Sequence, residues 1–253
     1  MSTQVKKSFV STKANNIEAS ITMATSALAN QLKKEGKDVI GLSAGEPDFD
    51  TPEAIKQAGI NSIQNGKTKY TPASGIVELK EAVVEKLKRD QNLDYGTDQI
   101  IISCGAKHTI YNILLAVLNP GDEVLVPSPY WVSYPHQIRM ADGTPKYIET
   151  SDQTQFKITA EQFEAAITDK TKVLILNSPS NPTGMLYTEA ELKAIAEVAI
   201  KHQILIISDE IYEHLVYEGE HFSIASVSEE AKELTIVVNG VSKAYSMTGW
   251  RIG

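Results

Sequence analysis

Short, nearly continuous apolar runs rich in β-branched residues recur along most of the chain and predict a sheet buried on both faces. Such runs are typical of parallel strands that helices cover on both sides. Amphipathic segments between or beside the runs predict those helices. Alternating strands and helices indicate an α/β fold with a doubly wound, mostly parallel sheet and flanking helices. The predicted strands are residues 100–102, 124–126, 173–176, 204–207 and 236–238, and the predicted helices are residues 75–90, 106–118, 160–168 and 189–202.

The first 66 residues follow a different pattern. Residues 16–35 have apolar positions at helical spacing and predict a helix. Residues 38–42 predict a short strand, which runs into a turn-rich stretch at Gly45. A further helix is predicted from Thr51-Pro52 to about Gln64, because proline is tolerated in a first turn and Asn65-Gly66 is a stop signal.

Composition and charge exclude several classes of protein. With 42% hydrophobic and 22% charged residues, the 253-residue chain has too many core formers for intrinsic disorder. No run approaches the roughly 20 consecutive apolar residues that cross a bilayer. The net charge of −8 argues against a nucleic-acid binder. One cysteine and a basic start without an apolar core predict a cytoplasmic protein.

In doubly wound sheets ligands bind where the strands end, so the residues after each run are informative. Gly105, Ala106 and Lys107 follow the first run and open a helix, an arrangement that can bind an anion. Taken in isolation, this stretch is better explained as a plain strand-to-helix turn. Trp131 follows the second run and can stack on a planar ring, or simply cover the core.

The third and fourth runs end in polar side chains. Asn181 lies in a loop stiffened by prolines and offers an amide donor, although a structural turn is the alternative. Asp209 ends the fourth run, where a buried acid is costly without a cation. Tyr212 follows in the same turn. The alternative for Asp209 is a helix N-cap.

The fifth run leads to Ser242, Lys243 and Arg251. A desolvated lysine amine becomes nucleophilic, as Schiff-base chemistry requires, and arginine presents a planar fork to phosphate. The anion site, stacking ring, amide, acid, phenol, lysine and arginine together suit one ligand, a phosphorylated pyridine aldehyde.

These motifs resemble those of the class I pyridoxal-phosphate aminotransferases of fold type I, most closely the branch of bacterial aspartate aminotransferases. The resemblance runs from about Ile17 to the last residue. Its most specific part is the lysine signature, Gly240-Val241-Ser242-Lys243 followed by Gly249, Arg251 and Gly253. The other matching stretches are residues 44–49, 66–70, 129–131, 181–184 and 208–212.

The resemblance implies a pyridoxal 5'-phosphate site and a role for each matching residue. Lys243 forms the Schiff base and then moves the proton between the substrate α-carbon and the cofactor. Asp209 pairs with the ring nitrogen, Tyr212 and Asn181 bind the ring hydroxyl, and Trp131 stacks on the ring. The residues implied to bind the phosphate are Gly105, Ala106, Lys107, Ser242 and Arg251.

The resemblance also implies a homodimer and a substrate site. Tyr70 matches a tyrosine that reaches the phosphate of the neighbouring subunit. Gly45 matches a backbone group near the substrate carboxylate, and Lys107 a lysine that helps to bind the distal carboxylate of aspartate. Trp131 and Asn181 also border the substrate. Residues 1–45 are then an N-terminal arm and the start of a small domain, and residues 46–253 the large cofactor-binding domain.

The chain has only three arginines, Arg89, Arg139 and Arg251. Relatives bind the substrate α-carboxylate with an arginine from a C-terminal segment, and neither Arg89 nor Arg139 fits that role. The sequence also stops on the last residue of the lysine signature. We therefore expect an N-terminal fragment of a longer enzyme, with the small domain largely missing, that is inactive alone.

Several functions stay open. The first is transamination, L-aspartate plus 2-oxoglutarate to oxaloacetate plus L-glutamate, in the full-length enzyme. Transfer to prephenate or between other amino acids of the same branch is the nearest alternative. A pyridoxal-phosphate lyase or synthase would reuse the lysine. An inactive cofactor-binding fragment, or a binding module, is the third possibility.

Overall fold

The computed structural model describes residues 9–17, 19, 21–43 and 45–253, with the backbone alone at residues 21 and 22. The chain divides into two compact units, Met1–Pro47 and Asp48–Gly253. Within the described ranges, no helix combines the length and the apolar character needed to cross a bilayer. The assignment of residues 1–45 to an arm and the start of a small domain stays a prediction.

The first unit is mainly helical in its described part. It contains α1 (Thr12–Asn15) and α2 (Ile21–Lys34), and α2 corresponds to most of the helix predicted over residues 16–35. The strand predicted over residues 38–42 is wrong, because this segment has no regular structure. Ile40 and Leu42 are almost fully exposed, and no described strand pairs with their backbone. Ala44 of the predicted motif lies outside the described residues.

The second unit is built on a sheet in which neighbouring strands pair in the parallel direction. The strand order is β2-β1-β3-β4-β5. The strands are β1 (Glu123–Ser128), β2 (Thr144–Glu149), β3 (Thr171–Asn177), β4 (Leu205–Asp209) and β5 (Thr235–Val238). The mostly parallel α/β sheet expected from the sequence is therefore confirmed.

Helices precede, connect and cover the strands. Five of them agree with the predicted spans to within two residues, and the helix predicted over residues 189–202 matches in full. The helices of this unit are α3 (Glu53–Gln64), α4 (Val77–Gln91), α5 (Ala106–Val117), α6 (Ser133–Met140), α7 (Ala160–Ala166), α8 (Glu189–His202) and α9 (Glu229–Glu233).

Alternate strand residues feed two separate cores, one on each face of the sheet. Leu125, Leu174 and Ile206 pack with side chains of α7 and α8. Val124 and Ile175 belong to a second cluster with side chains of α5 and α6. Because side chains alternate across a strand, this division is what a doubly wound sheet requires.

The strand predicted over residues 100–102 is wrong. Ile100 packs beside Leu87 and Leu93, but Ile101 is exposed and the segment is not part of the sheet. Its neighbour Ser103 exchanges two backbone hydrogen bonds with Gly253, at 2.6 and 3.0 Å. A single such pair does not make a ladder, so the apolar run alone was a poor guide.

The strand order reverses between β1 and β3. From β1 the chain crosses to β2 on one side, whereas β3, β4 and β5 follow one another on the other side. The loops after β1 and β3 therefore leave the sheet in opposite directions and open a crevice at its carboxyl edge. Trp131 and Asn181 lie in or next to these two loops, which places the predicted site at the crevice.

Candidate active site

Asp209 is the last residue of β4 and is almost fully buried. Its Oδ2 accepts a hydrogen bond of 2.6 Å from the Tyr134 hydroxyl, and the Ile211 amide lies 3.3 Å from Oδ1. Burial raises the pKa of Asp209 to about 6, although the Tyr134 hydrogen bond lowers it. No salt bridge to Asp209 occurs among the described residues, so its charge lacks a cationic partner in this part of the chain.

The loop after β3 is held against the end of β4 by asparagine side chains. Asn177 donates from Nδ2 to the backbone oxygen of Asp209 at 2.8 Å, and its Oδ1 accepts from the Asn181 amide at 2.7 Å. Asn181 in turn donates to the Tyr212 hydroxyl at 3.3 Å. The predicted partners Asn181 and Tyr212 are therefore in contact, and both are tied to the Asp209 turn.

Lys243 lies in the turn that follows β5 and is half-buried. Its Nζ is 5.8 Å from the centre of the Tyr212 ring. The negative face of an aromatic ring attracts a cation at this distance. The geometry thus brings the predicted nucleophile to the same side of the crevice as Tyr212 and Asn181.

An anion cradle forms where α5 begins. Gly105 precedes the helix with φ +87°, and the first N–H groups of a helix have no partner within it. Arg251 donates to the backbone oxygens of Thr248 and Cys104, at 2.9 and 3.4 Å, which holds its guanidinium over Gly105. A Cβ at Gly105 would lie 2.7 Å from Arg251 Nη2, and one at Gly253 only 2.5 Å from the Ala106 nitrogen.

This cradle fits a phosphate group. Exposed helix N–H groups, the positive end of the helix dipole and a guanidinium converge where side chains are absent. Ser242, predicted for the same role, is buried in the turn that carries Lys243. The donor set therefore suits the phosphorylated pyridine aldehyde expected from the sequence.

Lys107 and Trp131 form a second contact at the crevice. The Lys107 Nζ lies 4.8 Å from the centre of the Trp131 ring. Partial burial, and then the charge of Arg251, lower the pKa of Lys107. Trp131 packs edge-on against Tyr134, with ring centres 5.3 Å apart. Tyr134 thus links the Trp131 ring to Asp209.

The structure does not test the roles predicted for Tyr70 and Gly45. Tyr70 lies between α3 and α4 with its side chain fully exposed, and no described contact connects it to the site. Gly45 belongs to the first unit, which is described by itself. The roles of both residues stay predictions.

Comparison with known proteins identifies the family. Residues 37–253 match the family described as aminotransferase class I and II. The chain belongs to this family. Enzymes of the family depend on pyridoxal phosphate, so the predicted cofactor is confirmed at the family level.

Named aminotransferases resemble the chain over nearly all of its length. The chain is 56% identical to an aspartate aminotransferase of Bacillus sp. (strain YM-2), covering 98% of the chain and 63% of that protein. It is 51% identical to a probable aspartate/prephenate aminotransferase of Rickettsia bellii, covering 97% and 62%. The aspartate aminotransferase of Thermus thermophilus with maleate superposes with a TM-score of 0.94 at 46% identity, covering 98% and 64%. The chain thus spans less than two thirds of these proteins.

The structure adds two residues beside the candidate site that the sequence reasoning missed, Tyr134 and Gln137. Gln137 donates from Nε2 to the backbone oxygen of Lys107 at 2.7 Å and so ties α6 to the first turn of α5. Both side chains are buried. The sequence did contain a signal for Tyr134, since it follows Trp131 by three positions and the two aromatic side chains would share one face of a helix. Pro135 made a helix in this segment difficult to predict, because proline disfavours helix interiors.

Gly105→Ala is expected to weaken cofactor binding, because the new Cβ displaces the Arg251 guanidinium from the cradle. Losing a charge-assisted hydrogen bond costs about 1.5–3 kcal/mol, which corresponds to roughly a 10- to 100-fold loss of affinity. The measurement is a titration with pyridoxal phosphate, followed by absorbance.

Gly219→Ala is the matched control. Gly219 has the same φ of +87°, but a Cβ there would meet only Leu186 Cδ2, at 3.6 Å. Both variants therefore carry the backbone strain of a left-handed alanine, and only Gly105→Ala crowds the cradle. Equal affinities of the two variants would contradict the cradle assignment.

Proposed function

We propose that this chain carries the pyridoxal-phosphate site of an aminotransferase that converts L-aspartate and 2-oxoglutarate to oxaloacetate and L-glutamate. The observation that carries the proposal is the buried carboxyl of Asp209, which has no cationic partner among the described residues and shares the crevice with Lys243. A protonated pyridine nitrogen is the cation that such a carboxylate would pair with.

The bound cofactor supplies an aldehyde for the amino group and a ring that accepts electrons from the substrate α-carbon. Asp209 favours the protonated form of the ring nitrogen, because only the protonated nitrogen is a cation that can pair with the buried carboxylate. Tyr212 and Asn181 donate hydrogen bonds to the ring hydroxyl. Trp131 provides the aromatic face on which the ring stacks.

Lys243 has two tasks in this proposal. Its amine would hold the bound cofactor through the aldehyde, with loss of water. The same amine, once free, would be the base that accepts the proton of the substrate α-carbon and the acid that gives it back. Its half-buried position near Tyr212 keeps the amine next to the reacting carbon and out of bulk water.

Aspartate is favoured as donor by charge at the crevice. Lys107, beside Trp131, offers a cation to a distal carboxylate, and Arg251 occupies the adjacent phosphate cradle. The Thermus thermophilus relative is described with maleate, which is also a dicarboxylate. The Rickettsia bellii relative is named for prephenate as well as aspartate, which supports prephenate as a second acceptor.

The dimer and the compartment belong to the same proposal. The fully exposed ring of Tyr70 supports a homodimer in which this residue reaches the partner's phosphate. The exposed thiol of Cys104, the one cysteine of the sequence, supports the reducing cytoplasm as the location.

The contacts of the three arginines favour the alternative in which the chain binds the cofactor but does not turn over substrate. Arg89 pairs with Asp90, and Arg139 donates to the Tyr147 hydroxyl. Arg251 is therefore the one arginine at the crevice among the described residues, and it is assigned to phosphate. A cation for the substrate α-carboxylate is not evident in this part of the chain.

Product analysis tests the proposal. The chain, loaded with pyridoxal phosphate, is given 2-oxoglutarate with aspartate, alanine or phenylalanine, and keto acid, glutamate and ammonia are measured. Any turnover of aspartate should give oxaloacetate and glutamate in equal amounts. Ammonia without glutamate would indicate a lyase, and turnover of alanine or phenylalanine but not aspartate would overturn the substrate. Cofactor binding without any product would support the cofactor-binding alternative.

A further inference from the structure

We propose that Tyr134 is a positioning residue that holds the Asp209 carboxylate ready for the cofactor ring nitrogen and braces the Trp131 ring. The inference rests on the proposed function, since it concerns the same site. Its basis is a single buried side chain that contacts both predicted ring partners, the acid through its hydroxyl and the tryptophan through its ring edge.

The hydrogen bonds to Asp209 fix the plane of the carboxyl group. Tyr134, from α6, donates to Oδ2 at 2.6 Å, and the Ile211 amide donates to Oδ1 at 3.3 Å. Each oxygen thus has one donor, so rotation of the carboxyl about its own bond breaks both contacts. The remaining lone pairs stay available to a ligand.

The surroundings of Asp209 make Tyr134 the donor that matters most for its charge. Among the described residues, the charge of Glu210 on the same segment opposes ionisation of Asp209, and Tyr212 lies close to it in the same turn. Burial raises the pKa of the Tyr134 hydroxyl well above its ordinary value, so it donates at any working pH. A fixed O–H donor favours the ionised acid.

Tyr134 also sets the position of the stacking ring. Its ring meets Trp131 edge-on at 86°, and Trp131 in turn lies under the Lys107 ammonium. Tyr134 is packed with Ile110, Leu114 and Ile138 in the core between the sheet and α5 and α6. One rigid side chain, that of Tyr134, therefore fixes the positions of both Asp209 and the Trp131 ring, which would otherwise depend on the loops that carry them.

Tyr134→Phe tests this proposal, because it removes the hydroxyl and keeps the ring. The first readout is the titration of the Asp209 carboxyl carbon by NMR in the cofactor-free chain. Because burial raises the pKa of Asp209 to about 6, we expect the midpoint of the original chain near that pH. Loss of a hydrogen bond to a charged group predicts an upward shift of about one to two pH units.

The second readout separates positioning from general damage. Tyr134→Phe is expected to bind pyridoxal phosphate about two- to tenfold more weakly at pH 7, but to bind an analogue with carbon in place of the ring nitrogen as the original chain does. An upward shift of about one or two pH units lowers the ionised fraction of Asp209 at pH 7 about twofold or about tenfold, respectively.

Tyr187→Phe is the matched control. Tyr187 is equally buried, and its hydroxyl accepts from the backbone amide of Ile158 at 2.9 Å instead of donating to an acid. It should leave the Asp209 midpoint and both affinities unchanged. If Tyr134→Phe does not fold, fluorotyrosine at position 134 replaces it; the more acidic phenol is a stronger donor and should shift the midpoint downward.

The outcomes separate this inference from the proposed function. An original chain that does not form a covalent lysine adduct with pyridoxal phosphate contradicts the proposed function, whatever Tyr134 does. The role of Tyr134 is overturned when the original chain forms the adduct but the titration midpoint of Asp209 is unchanged in Tyr134→Phe or in the fluorotyrosine variant. Equal weakening toward the cofactor and its carbon analogue would also overturn it.

Discussion

Lys243→Ala is expected to abolish the covalent bond between the chain and pyridoxal phosphate. The amine at position 243 is the group that the aldehyde bonds, and the nearby Tyr212 ring cannot replace it. Any transamination should fall by at least about 10²–10⁴-fold, the range attributed to a positioned acid–base group. Absorbance of the lysine adduct and its resistance to dialysis after borohydride reduction measure the first effect, and product formation the second.

Lys232→Ala provides the control for this experiment. The Lys232 ammonium also lies over a tyrosine ring, 5.4 Å from the centre of Tyr95, but it belongs to α9 and not to the turn after β5. Its removal should leave the adduct intact. Mass spectrometry that finds the reduced cofactor on another lysine of Lys243→Ala, with undiminished turnover, would contradict the role of Lys243.

Asp209→Asn is expected to weaken catalysis while stabilising the cofactor-free chain at neutral pH. The amide keeps the size of the side chain and accepts the Tyr134 hydrogen bond, but it cannot pair with a charged ring nitrogen. Removing one partner of a buried charge pair costs about 3–5 kcal/mol, so cofactor affinity should fall by roughly 10²–10⁴-fold.

The stability effect of Asp209→Asn has a defined pH dependence. The pKa of Asp209 is about 6 in the folded chain, against 3.8 for the ordinary group. Between these values the unfolded chain has already released the proton that the folded chain retains, so Asp209 lowers stability as the pH rises. The full loss, reached above about pH 6, is roughly 3 kcal/mol. The amide of the variant does not ionise and escapes this loss, so the advantage of Asp209→Asn should grow from about pH 4.5 to about pH 7.

Chemical denaturation at several pH values measures this difference, and Glu123→Gln serves as a control of opposite sign. Hydrogen bonding from Thr168, followed by Lys146, lowers the pKa of Glu123. Its charge stabilises the folded chain above the ordinary pKa, so Glu123→Gln should lose stability relative to the original chain as the pH rises. An advantage of Asp209→Asn that does not change with pH would contradict the burial of an unpaired charge.

The sequence was a good guide wherever burial on both faces leaves a continuous apolar run. Strands β1, β3, β4 and β5 are of this kind. Strand β2 lies at the edge of the sheet, and only Ile148 of its side chains is buried, so its pattern is too polar to recognise. Residues 100–102 show the opposite case, a strand that was predicted but does not form. An apolar run does not specify which strand, if any, will form hydrogen bonds with its backbone.

The same distinction applies to the site. Asp209, Asn181 and Lys243 were predicted from their positions at strand ends, which the parallel topology brings to one edge. Their connections depend on the course of the loops, which local pattern does not encode. Tyr134 is the clearest case, since 75 residues separate it from the carboxyl group that it contacts.

The cradle at α5 joins segments that lie far apart in the chain. Arg251 and Cys104 are 147 residues apart, and Ser103 and Gly253 pair beside them. A phosphate bound there is a noncovalent crosslink that closes a long loop, and it is lost whenever either segment detaches. By mass action a ligand present at about 100 times its dissociation constant adds about 2.7 kcal/mol to the free energy of unfolding. A higher cofactor concentration should therefore keep the segment that carries Arg251 docked on the start of α5 for a larger fraction of the time.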